Sequence, residues 1–378
     1  MTAGDTLRAC IDEPAASDRV ERGLLRVTGW VFDEAGLLDA ALLVVDDAPA
    51  VRVRLGVWRE DVLAAYPSVE HAGGSGFEGT VDLRAAAGEV TRIALLVRTP
   101  AGAWREAAAV EVRPVAPART RDGARPRAAF TIVQNEPVML PLWLGYYRRY
   151  LAADDLYVLD HASTDGSTAD LEQSCRVVAV HHEAQFDHHW LRTTVEAFQE
   201  FLLRSYGTVL FTEVDEFVVA DPRRYPGLDS YVDALGPAAA ARCLGFDVLH
   251  RPGEPPLRFD EPVLAQRRYW RASLPYNKRL LARIPLQWSD GFHEEYRAPD
   301  DPPDPDLLLV HLHRVDYDAC LARHRSAAAR DWNEVDVVRG AGAHNRIADE
   351  AEFEAWFREE GAADAPVELI PEHIRSVF

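Results

Sequence analysis

Lysine is nearly missing from this sequence: Lys278 is the only one, and arginine supplies the rest of the 41 basic residues. Aspartate and glutamate together number 61, so the formal net charge is −20. A protein that binds a nucleic-acid backbone needs a basic surface to neutralise phosphates. The composition therefore argues against a nucleic-acid partner. We attribute the bias from lysine to arginine to genome composition rather than to function.

Long apolar segments and paired cysteines are also missing. No apolar run approaches the ~20 residues that a transmembrane helix needs, and residues 1–5 do not resemble the start of a signal peptide. The four cysteines, Cys10, Cys175, Cys243 and Cys320, are far apart. Cysteines without a pairing pattern are typical of free thiols in a reducing compartment. We therefore expect a cytoplasmic protein without a transmembrane segment.

The 378 residues correspond to about two domains. In residues 1–112, short apolar or alternating segments are separated by turn-forming residues, which predicts an all-β sandwich after a loosely ordered start at 1–18. The predicted strands cover residues 24–32, 40–45, 51–55, 93–97 and 107–112, with one helical turn at 58–66. Residues 113–128 are rich in Pro, Arg and Ala without an apolar period, so we expect them to form a linker.

Residues 129–378 show a different pattern, in which short apolar strands alternate with helices. Strands are expected at 130–133, 156–159, 177–180, 208–212 and 307–312, and helices at 137–150, 167–174 and 191–206. This alternation predicts an α/β domain with a mostly parallel, Rossmann-type sheet, followed by a helical C-terminal segment. Ligands of such sheets bind beyond the carboxyl ends of the strands.

Polar residues stand at those predicted strand ends. Asn135 and Glu136 follow the first strand, where they either cap the next helix or face a ligand. Asp160 follows the second strand, and its carboxylate either closes a turn or accepts hydrogen bonds from a nucleobase or ribose.

Acidic residues follow the fourth strand. Glu213 and Asp215 alternate, so in an extended chain they share a face, and a divalent cation would relieve their repulsion. Oxygen ligands of this kind suit Mg²⁺ or Mn²⁺, although a solvated strand end is the simpler alternative. His311 and His313 alternate at the end of the last strand, either as buried imidazoles or as metal ligands.

Taken together in their order, these segments resemble family 2-type glycosyltransferases of the GT-A fold, in a branch similar to the family 92 enzymes. The resemblance covers about residues 126–330, and the front domain resembles β-sandwich modules that accompany bacterial glycosyltransferases. The matching residues are Asn135-Glu136 with Leu140, Trp143, Leu144 and Tyr146; Asp160 with residues 163–167; Glu213-x-Asp215-Glu216-Phe217; and Lys278, His293, His311 and His313. Gly29-Trp30, residues 58–62 and Gly76-Phe77 carry the resemblance of the front domain.

The resemblance implies a role for each of these residues. Asp160 would hold the nucleobase, the segment at Asn135 and Glu136 would flank the nucleoside, and Arg192 and Lys278 would contact the nucleotide and its phosphates. Asp215 would bind the metal with His311 or His313, and Glu213 stands where the family has an aspartate. The base that deprotonates the acceptor would be Glu294, with Asp290 as second choice.

The implied enzyme is an inverting, Mn²⁺- or Mg²⁺-dependent hexosyltransferase. It would move a sugar from a nucleoside diphosphate donor, a UDP-sugar first, to a glycan or a small-molecule acceptor, and it could form homo-oligomers. Two alternatives stay open: a sugar- or nucleotide-binding protein that consumes no donor, and a metal-dependent hydrolase that binds Zn²⁺ tightly. The hydrolase would use histidines of the set His181, His182, His188, His189, His293, His311 and His313.

Overall fold

The computed structural model describes residues 6–46, 50–84, 86, 88–115, 125–180, 185–235, 240–296, 301–358 and 366–378. Among these residues, the part in front of residue 116 contains nine strands and one short α-helix. They are β1 (Leu7–Glu13), β2 (Arg19–Glu21), β3 (Leu24–Asp33), β4 (Ala41–Val45), β5 (Val51–Arg52), β6 (Arg54–Val57), α1 (Glu60–Ala65), β7 (Gly76–Asp82), β8 (Thr91–Arg98) and β9 (Trp104–Val115).

These strands form two sheets that share one core. One sheet has the order β1-β3-β7-β6 and the other β2-β9-β8-β4-β5. Because side chains alternate across a strand, each sheet turns one face inward. Val27 and Phe77 from the first sheet pack with Leu43 and Leu95 from the second. The two layers are those of the β-sandwich that the alternating pattern predicts.

Two predictions for this part are wrong. The start of the chain is not loosely ordered throughout, because β1 pairs antiparallel with β3 along most of its length. Residues 51–55 are not one strand. The chain passes from one sheet to the other at Val53, so that β5 pairs with β4 whereas β6 pairs with β7. A strict alternation cannot reveal such a crossing, since both short strands keep the same period.

The predicted linker at 113–128 overlaps strands at both of its ends. β9 continues to Val115 because its last residues pair in parallel with β2, and the first strand of the second part begins at Arg125. Residues 116–124 of the predicted linker lie outside the described residues. The two parts also touch: Arg84 donates to the carbonyl oxygens of Tyr206 at 3.3 Å and Arg283 at 2.6 Å.

The second part contains ten further strands and eight helices among the described residues. They are β10 (Arg125–Val133), α2 (Met139–Tyr147), β11 (Leu156–His161), β12 (Arg176–Val180), α3 (His188–Leu203), β13 (Tyr206–Phe211), β14 (Glu216–Ala220), α4 (Leu228–Ala234), β15 (Ala240–Leu249), α5 (Val263–Gln266), β16 (Tyr269–Ala272), β17 (Arg279–Ala282), β18 (Asp304–His311), α6 (Tyr317–Ala328), α7 (Glu334–Arg339), α8 (Glu350–Arg358), β19 (Val367–Leu369) and α9 (Glu372–Arg375).

The sheet of this part is mixed rather than mostly parallel. Its main path runs β12-β11-β10-β13-β17-β15-β16-β19, and β18 joins β14 to β15. Among the described strands, β12, β11, β10 and β13 form a continuous parallel set, in the order third, second, first and fourth along the second part of the chain. From β17 onward most pairs are antiparallel.

The helices differ from expectation at one place. Residues 167–174 form turns instead of a helix; this segment is short and contains Ser167 and Ser174, whose hydroxyls compete with helical hydrogen bonds. The long helix α3 begins before the predicted position, because the Asp187 carboxylate caps the amide of Trp190. None of the helices in the described ranges is long and apolar enough to cross a membrane.

Candidate functional site

The acidic segment and the histidine strand lie side by side. β14 pairs antiparallel with β18 so that Glu216 is opposite His311. β18 also pairs in parallel with β15, which places Asp247 opposite His311 on the other side. The amide of Leu312 donates to the Asp215 carbonyl at 2.9 Å. Residues almost a hundred positions apart are therefore fixed next to each other by sheet pairing alone.

Asp215 faces both histidines. Its Oδ2 lies 3.4 Å from Nδ1 of His313 and 3.7 Å from Nε2 of His311. One donor atom from each of the three residues lies within 4.8 Å of the others. A carboxylate oxygen with two imidazole nitrogens is a ligand set for a divalent cation, and the nitrogens suit Mn²⁺ better than Mg²⁺, which prefers oxygen.

The remaining nitrogen of each histidine has its own partner. Nδ1 of His311 lies 2.6 Å from Oδ1 of Asp247, and Nε2 of His313 lies 3.0 Å from Nε2 of His324. Metal-binding histidines are oriented in this way by an outer partner. Burial alone would lower the pKa of His311, but the hydrogen bond with Asp247 outweighs burial and raises that pKa. For His313 burial dominates and lowers the pKa to about 4.

Arg323 of α6 contacts the same carboxylate. Its Nη1 donates to Oδ2 of Asp215 at 2.5 Å, and its Nε and Nη2 each donate to Oε1 of Glu136 at 3.2 Å. Burial alone would raise the pKa of Asp215, but the Arg323 charge holds that pKa well below its usual range. Arg323 therefore joins the end of β10 to the acidic segment and keeps Asp215 ionised.

Lys278 is placed differently from its predicted role at the phosphates. Its side chain is 0% exposed, and Nζ lies 2.8 Å from Oε2 of Glu213 and 2.7 Å from Oε1 of Glu216. Glu213 is thus held by an ammonium group and is not grouped with Asp215 and the histidines. Lys278 neutralises the two glutamates that flank Asp215, and it is not among the described residues that line the cleft.

A cleft of about 480 Å³ opens above this cluster. Its volume lies in the range of small-molecule sites, ~300–1,000 Å³. Four arginines and five phenylalanine, tyrosine or tryptophan residues are part of its wall. They are Arg271, Arg314, Arg323 and Arg330, with Phe186, Tyr276, Phe292, Trp332 and Trp356. The lining therefore combines these four arginines with the carboxylates of Glu136, Glu213, Asp215, Asp247 and Asp290.

Asn135 and Asp160 hold the loops at the ends of β10 and β11. Asn135 has a positive φ of 58° and lines the cleft. Its Oδ1 accepts from the amide of Thr164 at 2.7 Å. Asp160 accepts from the amide of Ser163 at 2.9 Å and from the hydroxyl of Thr168 at 3.0 Å. Asp160 itself is not in the described lining of the cleft, so the structure supports its turn-closing alternative more directly than the nucleobase role.

The two candidates for the base occupy different places. Asp290 lines the cleft, and its Oδ1 accepts from Nε of Arg192 at 3.1 Å. Glu294 is exposed and lies outside the described lining, with its Oε2 3.4 Å from the hydroxyl of Tyr296. Arg192 also pairs with Glu196 within α3. Of these predicted residues, Asp290 therefore lines the cleft, whereas Glu294 and Arg192 are not among its described lining residues.

The histidines of the hydrolase alternative do not form one group. His188 is paired with Asp336, with Nδ1 2.9 Å from Oδ2, and His293 contacts the carbonyl of Pro275 at 3.0 Å. His181 and His182 lie outside the described residues. The two metal-type groups found in the described ranges are Asp215–His311–His313 and His313–Cys320–His324.

The sequence interpretation missed Asp247, Arg323 and His324. Asp247 offered a signal, since a carboxylate inside the apolar segment of β15 must be paired. Arg323 and His324 offered none, because a helix of ordinary polar composition does not show what its faces meet. All three reach the site through sheet register or helix packing, which one sequence does not specify.

Comparisons with known proteins add no identification. No protein-family model and no curated protein matches the sequence. The matching solved structures include an endo-β-1,4-mannanase from Thermotoga petrophila (14% identity, 31% of this chain and 21% of that chain, TM-score 0.21). An engineered protein matches with 15% identity over 29% of this chain and 20% of its own length, with a TM-score of 0.20. Domains 4 and 5 of the S-layer protein SbsC match with 19% identity over 30% of this chain and 55% of theirs, with a TM-score of 0.17.

The chain spans about a fifth of the length of the first two of these structures. Similarity at this level assigns neither a fold nor a function. The case for function therefore depends on the residues of the cleft.

Proposed function

We propose that this protein is a metal-dependent glycosyltransferase of the GT-A type, which transfers a hexose from a nucleoside diphosphate sugar, UDP-sugars first, to an acceptor hydroxyl. The observation that carries the proposal is the group Asp215, His311 and His313 at the base of the cleft. The parallel set of strands supports it, because the segments after β10 and β13 supply Asn135, Glu136 and Asp215 to one edge of the sheet.

The residues present fit a divalent cation. Asp215, His311 and His313 would hold it, and Asp247 and His324 already orient the two imidazoles. When bound, the cation supplies positive charge to the departing nucleoside diphosphate. The mixed oxygen and nitrogen ligand set favours Mn²⁺ over Mg²⁺ in this proposal.

The rest of the cleft supports an anionic, aromatic ligand. Arg323 and Arg330 extend positive charge from Asp215 toward the end of β10, where Arg330 donates to the carbonyl of Gln134 at 3.2 Å. Phe186 and Trp332 stand beside this arginine, with ring centroids 4.6 Å apart. Aromatic faces and guanidinium groups stack on nucleobases and bind phosphates. We therefore place the nucleotide along this wall.

Asp290 takes first place as the proposed base, ahead of Glu294, because it lines the cleft. Its contact with Arg192 fixes the position of the carboxylate, and a general base must be so placed to reach an acceptor hydroxyl. Direct displacement at the anomeric carbon then needs the acceptor to approach opposite to the leaving diphosphate, which gives inversion.

The proposed location is the cytoplasm. Cys10, Cys175, Cys243 and Cys320 are all free thiols in the structure. Free cysteines in these numbers are typical of a reducing compartment. This part of the proposal depends on the thiols alone.

The test begins with binding. Nucleoside diphosphate sugars are screened with Mn²⁺ for an increase in the melting temperature, since a ligand that binds only the folded state stabilises it. The best donor is then incubated with candidate acceptors, and products are identified by mass. Release of free sugar without an acceptor would point to the hydrolase, and binding without turnover would point to the non-catalytic alternative.

The base is tested with a matched pair of variants. Asp290→Asn should lower kcat by roughly 10²–10⁴-fold with little change in donor affinity. Glu294→Gln should retain most of the activity. The reverse result would return Glu294 to first place.

A further inference from the structure

A second group of metal-type donors lies beside the first. Cys320 and His324 are four residues apart in α6, so they occupy one face of the helix. That face meets His313 just after β18, where Nε2 of His313 and Nε2 of His324 are 3.0 Å apart. One donor atom from each of the three residues lies within 4.8 Å of the others. Cys320 and His324 are each 1% exposed.

The chemistry of this group differs from that of Asp215 and the two histidines. A thiol and two imidazoles are the ligands of Zn²⁺, with Zn–S near ~2.3 Å and Zn–N near ~2.0–2.1 Å. Around a tetrahedral ion such bonds place the donor atoms roughly 3.3–3.7 Å apart. The distance between the two imidazole nitrogens is already close to that value, and the donor atom of Cys320 lies within 4.8 Å of a donor atom of each histidine.

The other nitrogen of His313 completes a recognisable arrangement. Nδ1 of His313 lies 3.4 Å from Oδ2 of Asp215. A histidine that binds zinc through one nitrogen usually donates its other N–H to a carboxylate. Asp215 is in position to be that carboxylate. His313 and His324 also line the cleft, which gives an ion access and leaves room for a fourth ligand from solvent.

We infer that Cys320, His324 and Nε2 of His313 form a site for a soft divalent cation of the zinc type, separate from the site at Asp215 and His311. A neutral imidazole binds one metal, because the nitrogen that carries the proton cannot ligate. Occupation of the thiol site therefore takes His313 away from the Asp215 group, and the two ions oppose each other's binding. This inference does not depend on whether the cleft takes a nucleotide sugar.

Cobalt spectroscopy tests the inference directly, since Co²⁺ replaces Zn²⁺ and a bound thiolate produces a charge-transfer band in the near ultraviolet. The full chain titrated with Co²⁺ should show this band. Cys320→Ser should remove it, and His324→Gln should weaken it. The matched control is Cys243→Ser, another buried cysteine, which should leave the band unchanged. Asp215→Asn should retain the band at saturating Co²⁺, with an affinity weakened by roughly 10–100-fold because Asp215 orients His313.

The affinity for Zn²⁺ gives a second measurement. Loss of the Cys320 ligand should weaken Zn²⁺ binding by more than the roughly 10–100-fold that loss of an outer-shell partner costs. Circular dichroism shows whether each variant is folded, and His324→Gln replaces Cys320→Ser if the latter is not. Absence of the band from the folded wild type, or its persistence in Cys320→Ser, would overturn the inference.

The same titrations separate this inference from the proposed function. A nucleotide sugar should bind to the wild type in the presence of Mn²⁺ and should not bind to Asp215→Asn. That result concerns the site at Asp215 and His311, which the proposed function uses. Zn²⁺ should compete with Mn²⁺ more strongly in the wild type than in Cys320→Ser, where only direct occupation of the Asp215 site by Zn²⁺ remains. Equal competition in the two proteins would show that Zn²⁺ acts at the Asp215 site alone.

Discussion

Two buried cations flank the acidic segment, and each is held by two carboxylates. Lys278 lies between Glu213 and Glu216, and its side chain is 0% exposed. Arg323 lies between Asp215 and Glu136, and its side chain is 23% exposed because it lines the cleft. Residues 213–216 form a turn rather than the extended chain expected, with the amide of Glu216 donating to the carbonyl of Glu213, and Asp215 reaches the opposite cation from its two neighbours. The comparison indicates that one ion cluster supports the sheet, whereas the other is accessible to a ligand.

Replacement of Lys278 by Met should have the largest effect, on stability. It leaves two buried carboxylates without their cation, and breaking a buried pair costs about 3–5 kcal/mol. The free energy of unfolding in urea measures the loss. A triple variant with Lys278→Met, Glu213→Gln and Glu216→Gln should recover much of it. If the single variant is as stable as the wild type, the cluster does not support the sheet.

Asp215→Asn should come second, with its effect on activity rather than on folding. We expect sugar transfer to fall by roughly 10²–10³-fold, the range for loss of one electrostatic partner of the transition state. The urea midpoint should fall less than in Lys278→Met, because Asn keeps the shape and the backbone contact with Leu312 although the charge pair with Arg323 is lost. Turnover at the wild-type rate with saturating donor would remove Asp215 from the site.

Arg323→Met should lower the free energy of unfolding by less than Lys278→Met does. We expect a loss between the ~1 kcal/mol of an exposed ion pair and the ~3 kcal/mol of a buried one. The reason is that water in the cleft reaches Asp215 when the guanidinium is removed. Donor affinity, measured by calorimetry, should fall in this variant. Equal losses of unfolding free energy in Lys278→Met and Arg323→Met would contradict the claim that the Lys278 cluster supports the sheet more than the Arg323 cluster does.

The pH dependence should distinguish the clusters further. The pKa of His313 is lowered to about 4, so between that value and ~6.5 the unfolded chain binds more protons than the folded one. The contribution of neutral His313 to the free energy of unfolding is therefore complete above about pH 6.5 and is lost as the pH falls toward 4. In metal-free buffer, the wild type should lose about 1.4 kcal/mol more than His313→Gln between pH 7.5 and pH 5.5. Identical pH profiles would contradict the lowered pKa.

Removal of the front domain should have the smallest effect on both clusters. A truncated chain that begins at Arg125 loses the contacts of Arg84 but none of the residues that hold Lys278 or Arg323. Nucleotide affinity should change by less than about 0.5 kcal/mol, as for changes away from a site. A folded truncation that binds no nucleotide would mean that the front domain builds part of the cleft.

The period of apolar residues predicted β10, β11, β13 and β18 but not β14, β15, β17 or α6, and the acids after β13 and the histidines at the end of β18 were found by their place after apolar strands. The partners of those residues were not predictable. The resemblance implied that Lys278 is a phosphate ligand. The sequence does not show that β17, which begins directly after Lys278, lies beside β13 and so brings this lysine to the acidic segment. Asp247 and Arg323 reach the cleft through the register of β15 with β18 and through the packing of α6.

The antiparallel half of the sheet was missed for a related reason. A strand that is buried on both faces has a continuous apolar sequence whether it is parallel or antiparallel to its neighbours. The apolar sequence alone therefore does not predict the strand's direction. β17 and β16 are only four residues each, too short to show a period.

The burial of the single lysine also makes the folded protein almost inert toward amine chemistry. A reagent that acylates lysine finds no side-chain amine on the folded surface, since Lys278 is enclosed by Glu213 and Glu216. Acylation of Lys278 therefore requires the sheet to open around β17. One modification at one position then reports how often that opening occurs, and mass spectrometry can count it without any engineered probe.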